Sequence, residues 1–211
     1  MIRIIPTMKP GITIQDRHNN VARFQKILVY GVCGSGKTTL AKKIAEITQL
    51  PFHSADDMAW LPGWVMTSPE SQRQKIADIM SQDQWVLDTA YGTWLDLVIN
   101  EAQVVVCLDY PRWFSFWRLV KRTVSRAIDK KPVCNGNVET WRQTFSRDSI
   151  LVWHFRSFQR KRRRIREWQE DPNRETVVFK SAQATEIWLK RLEDLTVVSQ
   201  SPKPDNFNHD S

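Results

Sequence analysis

The chain has 211 residues, 41% of them hydrophobic, which sets aside a disordered polymer and suggests a single domain. Its 31 Lys and Arg against 23 Asp and Glu give a formal charge of +8, which suits nucleotides, nucleic acid or acidic membranes alike and so selects none of them. No apolar run reaches the ~18 residues of a membrane span, residues 1–20 lack a signal-peptide core, and Cys33, Cys107 and Cys134 lack metal-ligand spacing, so free thiols in a cytoplasmic protein are expected.

Residues 1–25 are weakly patterned and read as an extension before a domain over 26–200. Lys26-Ile27-Leu28-Val29-Tyr30 is an apolar run, as expected of a strand buried on both faces. After a Gly-rich break, 38–48 has helical spacing, with Leu40, Ile44 and Ile47 on one side. Residues 51–54 predict a second strand, and Trp60-Leu61-Pro62-Gly63-Trp64 predicts turns. Thr67 with Glu70 reads as the capping box of a helix that has Pro69 in its first turn. Further strands are predicted over 85–88, 104–109 and 176–179, with a last one at 195–198. Helices are predicted from Pro111 to about Lys130, over a basic stretch at 142–169, and over 182–192. The tail at 201–211 is expected to be disordered. The ten tryptophans are expected mainly as packing residues. Short apolar strands alternating with helices predict an α/β fold with a parallel sheet covered on both faces.

Gly31-Val32-Cys33-Gly34-Ser35-Gly36-Lys37-Thr38 matches the P-loop pattern G-x-x-x-x-G-K-[ST], with a predicted strand before and a helix after. Glycines let backbone N–H groups turn inward around a phosphate, and the helix N-terminus adds positive potential there. Lys37 is placed to reach the β- and γ-phosphates, Thr38 to ligate Mg²⁺, and Thr39 to support the α-phosphate end; Gly31, Gly34, Ser35 and Gly36 complete the nucleotide loop.

Ligands of open parallel sheets bind beyond the carboxyl ends of the strands, and three such ends carry acids: Asp56 with Asp57, Asp88, and Asp109. Asp88 is the candidate metal carboxylate, and Asp56 or Asp57, Asp56 first, the candidate acid for a substrate hydroxyl. Asp109 caps a helix equally well. Trp60, Trp64, Met66 and Arg73 suit a planar or apolar acceptor beside a phosphate, and equally suit packing against the sheet.

These motifs together resemble the adenylate-kinase-like P-loop kinases, and more closely the bacterial DNA topology modulation (FlaR-type) proteins. The resemblance covers about residues 26–192. It rests on the P-loop, on Asp56-x-x-x-Trp60-x-Pro62-Gly63-Trp64, and on Trp85-Val86-Leu87-Asp88-Thr89-Ala90-Tyr91, where Thr89-Ala90 replaces the family's Gly-Asn. It rests also on Asp109-Tyr110-Pro111 with Arg118 and Arg122, and on Phe179-Lys180-Ser181. It implies a three-layer fold with a five-stranded parallel sheet of order 2-3-1-4-5, an acceptor side at 54–82 and a helical lid within about 125–165. It further implies Arg118 and Arg122 facing the phosphates and Lys180 beside the adenine ring.

Within the basic stretch, Arg156, Arg160 and Arg163 share a helical face and are the lid candidates; the remaining cations of the run at 160–166 are expected in solvent. The expectation is an ATP- and Mg²⁺-dependent kinase acting on a small molecule or nucleotide. The competing expectations are a nucleotide-dependent DNA- or RNA-binding regulator, drawing on the basic helix with Trp153, Phe155, Phe158 and Trp168, and a plain NTPase.

Overall fold

A computed structural model describes residues 21–89, 91–130, 132, 134–138 and 150–200, with side chains as far as 197. The expectations for residues 1–20, for the tail at 201–211 and for the basic helix before Ile150 fall outside these residues. The strands are β1 (Lys26–Gly31), β2 (Phe52–Ser54), β3 (Trp60–Leu61), β4 (Val65–Met66), β5 (Trp85–Thr89), β6 (Val104–Leu108) and β7 (Glu175–Phe179). The helices are α1 (Lys37–Thr48), α2 (Ala55–Ala59), α3 (Pro69–Met80), α4 (Leu95–Glu101), α5 (Arg112–Asp129), α6 (Ile150–Glu170) and α7 (Ala182–Gln200).

Five strands form one parallel sheet in the order β2-β5-β1-β6-β7, and β3 with β4 makes a separate antiparallel ribbon. Counting only the five strands of the large sheet, this is the expected 2-3-1-4-5. Alternation along β1 explains the layers. Ile27 and Val29 point into a core shared with α1 and α7, through Leu40, Ile44, Trp188 and Leu192. Leu28 and Tyr30 point into a second core with Ile76, Trp85, Trp94, Val98 and Ile165 from the other side. A strand covered on both faces has no polar side to show, which is why Ile27–Tyr30 of β1, Trp85–Leu87 of β5 and Val104–Leu108 of β6 read as continuous apolar runs.

Register brings the chemistry to one edge. Val29 pairs with Asp88, Gly31 with Leu108, and Ser54 with Asp88, so the P-loop, Asp88 and the start of α2 leave the sheet side by side.

Two expectations are corrected. The strand expected at 195–198 is the continuation of α7, where the Thr196 hydroxyl donates to the Leu192 carbonyl at 2.9 Å in a helical i to i−4 contact. The cap of α3 is Ser68, which accepts from the Ser71 N–H at 3.2 Å, whereas Thr67 is buried and donates to the Met58 and Ala59 carbonyls. The tryptophans divide: Trp85, Trp94 and Trp188 are core residues, but Trp113, Trp117 and Trp153 are exposed. No helix among the described residues is long and apolar enough to cross a membrane.

Candidate functional site

β1 ends at Gly31 and the chain turns through residues 32–36 into α1. Two glycines are required by geometry. Gly34 has φ +81° and Gly36 φ +98°, conformations that strain any residue with a Cβ. At Gly34 a Cβ would also fall 2.3 Å from the Ser115 carbonyl oxygen and 2.8 Å from Leu119 Cβ, so the loop lies directly on α5. Gly34→Ala is therefore expected to cost about 2–4 kcal/mol, combining backbone strain with overpacking. Urea unfolding checks it, and a wild-type midpoint would refute the close contact. Inside the loop the Ser35 hydroxyl donates to the Val32 carbonyl at 2.8 Å, and the Lys37 ammonium donates to the same oxygen at 3.2 Å. Thr39 is exposed at the first turn of α1.

Below the loop the Thr38 hydroxyl donates to one oxygen of Asp88, whose other oxygen accepts the Ala55 N–H at 3.2 Å. Asp88 is 3% exposed, and burial pushes its pKa up against the opposing pull of Thr38 and Lys37. Thr38 and Asp88 thus offer adjacent oxygens beside a phosphate loop, the donor type that a hard cation takes together with phosphate and water. Among the described residues no cluster of three His, Cys, Asp or Glu side chains forms an all-protein metal cage.

Asp56 opens α2 next to Asp88. The Tyr91 hydroxyl donates to Asp56 Oδ1 at 2.9 Å and accepts from Trp60 Nε1 at 3.0 Å. Burial first, and then the Asp56 charge, push the Tyr91 pKa up, so the phenol stays a donor. Trp60 and Trp64 meet edge to face at 5.6 Å across the β3–β4 ribbon. The ribbon is fastened by a distant segment. Asn135 Nδ2 donates to the Asp57 and Trp60 carbonyls at 2.7 Å each, and Asn137 Nδ2 donates to the Leu61 carbonyl at 2.9 Å. Asn137 Oδ1 accepts the Trp64 N–H at 2.7 Å, and the Trp64 indole donates to the Val138 carbonyl at 3.1 Å.

Other expected residues lie as follows. Arg118 is exposed, with its guanidinium against the loop, since a Cβ on Gly36 would stand 3.2 Å from Nη2. Arg122 is half-buried one turn further along α5. Lys180 is exposed in the turn from β7 to α7. Asp57 is exposed and engages only its backbone with Asn135. Asp109 does not cap α5; it takes Arg162 Nε at 3.0 Å.

Arg73 does not stay on the acceptor side. It forms a two-pronged pair with Asp96 at 3.1 and 3.0 Å and donates to the Thr93 carbonyl, tying α3 to α4. The phase of α6 also differs from expectation. Arg156, Arg160 and Arg163 are exposed and line an open groove with Gln159 and Arg166. The inner face consists of His154, Ser157, Phe158, Lys161 and Ile165. His154 Nδ1 donates to the Cys33 carbonyl at 3.1 Å, so α6 covers the phosphate loop through this face. Burial lowers the His154 pKa, opposed by the Cys33 and Arg112 carbonyls. Sequence reasoning missed His154, Lys161, Tyr91, Asn135 and Asn137. For the first two a signal existed, because residues 154, 157, 158, 161 and 165 follow helical spacing.

The model of a family described as "ATPase family associated with various cellular activities (AAA)" matches residues 27–88, the stretch from β1 through Asp88. No curated protein matches the chain. Among solved structures, a gluconokinase from Sinorhizobium meliloti 1021 is 19% identical with a TM-score of 0.47, covering 84% of this chain and 98% of its own. A shikimate kinase from Bacteroides thetaiotaomicron is 16% identical with a TM-score of 0.49, covering 82% and 98%. A sugar kinase from Janibacter sp. HTCC2649 is 21% identical with a TM-score of 0.46, covering 83% and 95%. At such identities and TM-scores the likeness carries no argument about substrate. The P-loop and the five-stranded parallel sheet are those of a P-loop NTPase fold.

Proposed function

We propose that the protein is an ATP- and Mg²⁺-dependent phosphotransferase of the adenylate-kinase-like class, related to the DNA topology modulation proteins, acting on a small molecule or nucleotide. One observation carries the reading. The phosphate loop, the Thr38–Asp88 pair and the Asp56–Tyr91 pair stand next to one another at the carboxyl ends of β1, β5 and β2.

In this reading the loop N–H groups and Lys37 hold the β- and γ-phosphates. Thr38 and Asp88 hold magnesium, which when bound neutralises charge building on the phosphate oxygens. The acceptor hydroxyl lies against the Asp56 carboxylate oxygen that Tyr91 leaves open. Its oxygen forms a bond to the γ-phosphorus while the bridging bond to the β-phosphate breaks. The electron pair of that bond leaves on ADP, and the hydroxyl proton passes to Asp56. Tyr91 and Trp60 fix the carboxylate, so its orientation does not have to be found during the reaction. Arg118, beside Gly36, is placed to meet charge spreading over the phosphates.

Lys37→Ala is expected to abolish ATP turnover measured as ADP release with a panel of hydroxyl acceptors, and unchanged turnover in that variant would sink the reading. Turnover that no acceptor accelerates indicates a plain NTPase instead. A second reading, nucleic-acid binding, is favoured by the exposed Trp117 and Trp153, each with a cation over its ring, Lys121 at 5.5 Å and Arg160 at 5.6 Å. Single-stranded DNA binding that falls steeply with added salt and is lost in Arg160→Glu would favour that second reading.

A further inference from the structure

The inner face of α6 contains a charge that its surroundings do not satisfy. Lys161 is 2% exposed, and its ammonium finds no hydrogen-bond partner among the described residues. Two buried neighbours on the same face, the Ser157 hydroxyl and His154 Nε2, are also without a partner there. A buried ammonium with no partner is costly, and such a group persists where something absent from the structure completes it. Its position indicates what that is. Two turns before Lys161 on the same face, His154 holds the Cys33 carbonyl of the phosphate loop. The groups whose charges reach Lys161 are Cys33 and Lys37 of that loop, Asp56 of the acceptor side, and Arg160 on its own helix.

Lys37 from α1 and Lys161 from α6 are therefore near enough, in the space beside the phosphate loop, for each to feel the other's charge. They repel each other, and the opposing groups are Cys33 and Asp56 toward Lys161 and Asp88 toward Lys37, with Asp56 already engaged by Tyr91 and Asp88 by Thr38. An anion in that space would turn the repulsion into two attractions. The loop beneath is built for phosphate, so the anion is a phosphate that stands further out than the one the loop encloses.

We propose that Lys161, rather than the exposed arginines of α6, is the lid cation that binds the terminal phosphate of the bound nucleoside triphosphate, opposite Lys37. The inference rests on the reading of the site as a triphosphate site. A lysine suits the position because its apolar stem fills the interior while its head delivers a compact charge. The exposed arginines meet neither condition. The contact needs no proton transfer, because Lys161 acts as an ammonium throughout.

The experiment compares wild type, Lys161→Met, Lys161→Gln and Lys161→Arg by calorimetry with Mg²⁺ and either ADP or a non-hydrolysable ATP analogue. A charge-assisted contact to the terminal phosphate predicts that Lys161→Met and Lys161→Gln lose about 10–100-fold in affinity for the ATP analogue. ADP affinity is expected to stay within about twofold, and Lys161→Arg to keep part of the preference for triphosphate. If the neutral variants bind the analogue as wild type does, the assignment is wrong. An equal loss for ADP and the analogue also overturns it, since that is the mark of a structural role. If wild type binds neither nucleotide, the reading of the site falls and takes this inference with it. Lys161→Gln keeps the test decisive where Lys161→Met fails to fold.

Discussion

Asp88→Asn is expected to lower Mg²⁺-dependent ATP turnover by about 10²–10³-fold while leaving the protein folded, and as stable as wild type or more so at neutral pH. The two effects have one origin. Asp88 is buried, and burial raises its pKa, so the folded state disfavours the carboxylate. A carboxyl whose folded pKa lies above its unfolded value stabilises the protein at low pH, and that contribution is lost as pH rises through the folded value. At neutral pH the ionised Asp88 is therefore a strain on the fold. Asparagine removes the charge, while its carbonyl still accepts from Thr38 or from the Ala55 N–H. What asparagine cannot supply is negative charge for a cation beside the phosphates. Steady-state turnover at saturating Mg²⁺, with urea unfolding of the nucleotide-free protein, separates the effects. An Asp88→Asn variant that is fully active would remove Asp88 from the chemistry.

Lys161→Met is expected to stabilise the nucleotide-free protein at pH 7 by up to about 3 kcal/mol, with the gain fading toward pH 10.5. Burial pushes the Lys161 pKa down from 10.5 to about 8. Above about pH 8 the folded state has released a proton that the unfolded chain keeps until about 10.5. Wild-type stability therefore rises with pH through that window, and the variant lacks the rise. Lys37, Arg160, Cys33, Asp56 and His154 face or flank the group and are common to both proteins, so the difference between the two curves reports on Lys161 together with its charge coupling to His154. Urea midpoints at pH 7 and pH 9.5 give the comparison. A difference that does not change with pH would mean that the ammonium is solvated. With Mg²⁺ and an ATP analogue at pH 7 the ranking is expected to narrow or reverse, because ligand binding then stabilises wild type more strongly.

The parts of the site that were readable in the amino-acid sequence are those whose geometry is local. Gly34, Gly36, Lys37 and Thr38 lie within one turn, and their residue types follow from the backbone conformations and phosphate contacts needed there. The sheet order was reached through resemblance; periodicity alone supports only a parallel sheet. Asp88 was found because a strand end is recognisable, and its register with Ser54 and Val29 brings it beneath the loop. The orientation of α6 was obscured for a different reason. Consecutive cations at 160–164 carry no period, so nothing in the run itself separates Lys161 from Arg160 and Arg163, and the packing of Phe158 and Ile165 turns Lys161 inward. The pairing of Arg73 with Asp96 was not readable because the partner is 23 positions away on another helix. Leu195-Thr196-Val197 has β-type residues, but strand preference is weak beside the continuity of an established helix.

Residues 134–136 all have positive φ, a bent path that brings the amides of Asn135 and Asn137 onto the ribbon. The ribbon has two residues in each strand and belongs to no larger sheet, so these side chains replace neighbours it does not have. Residues 57–66 and 134–138 are consequently one structural unit, to be exchanged together. Transplanting the first without the second would leave the Asp57, Trp60 and Leu61 carbonyls and the Trp64 N–H without the partners that shape the loop. The two segments hold each other's shape although some 75 positions separate them along the chain.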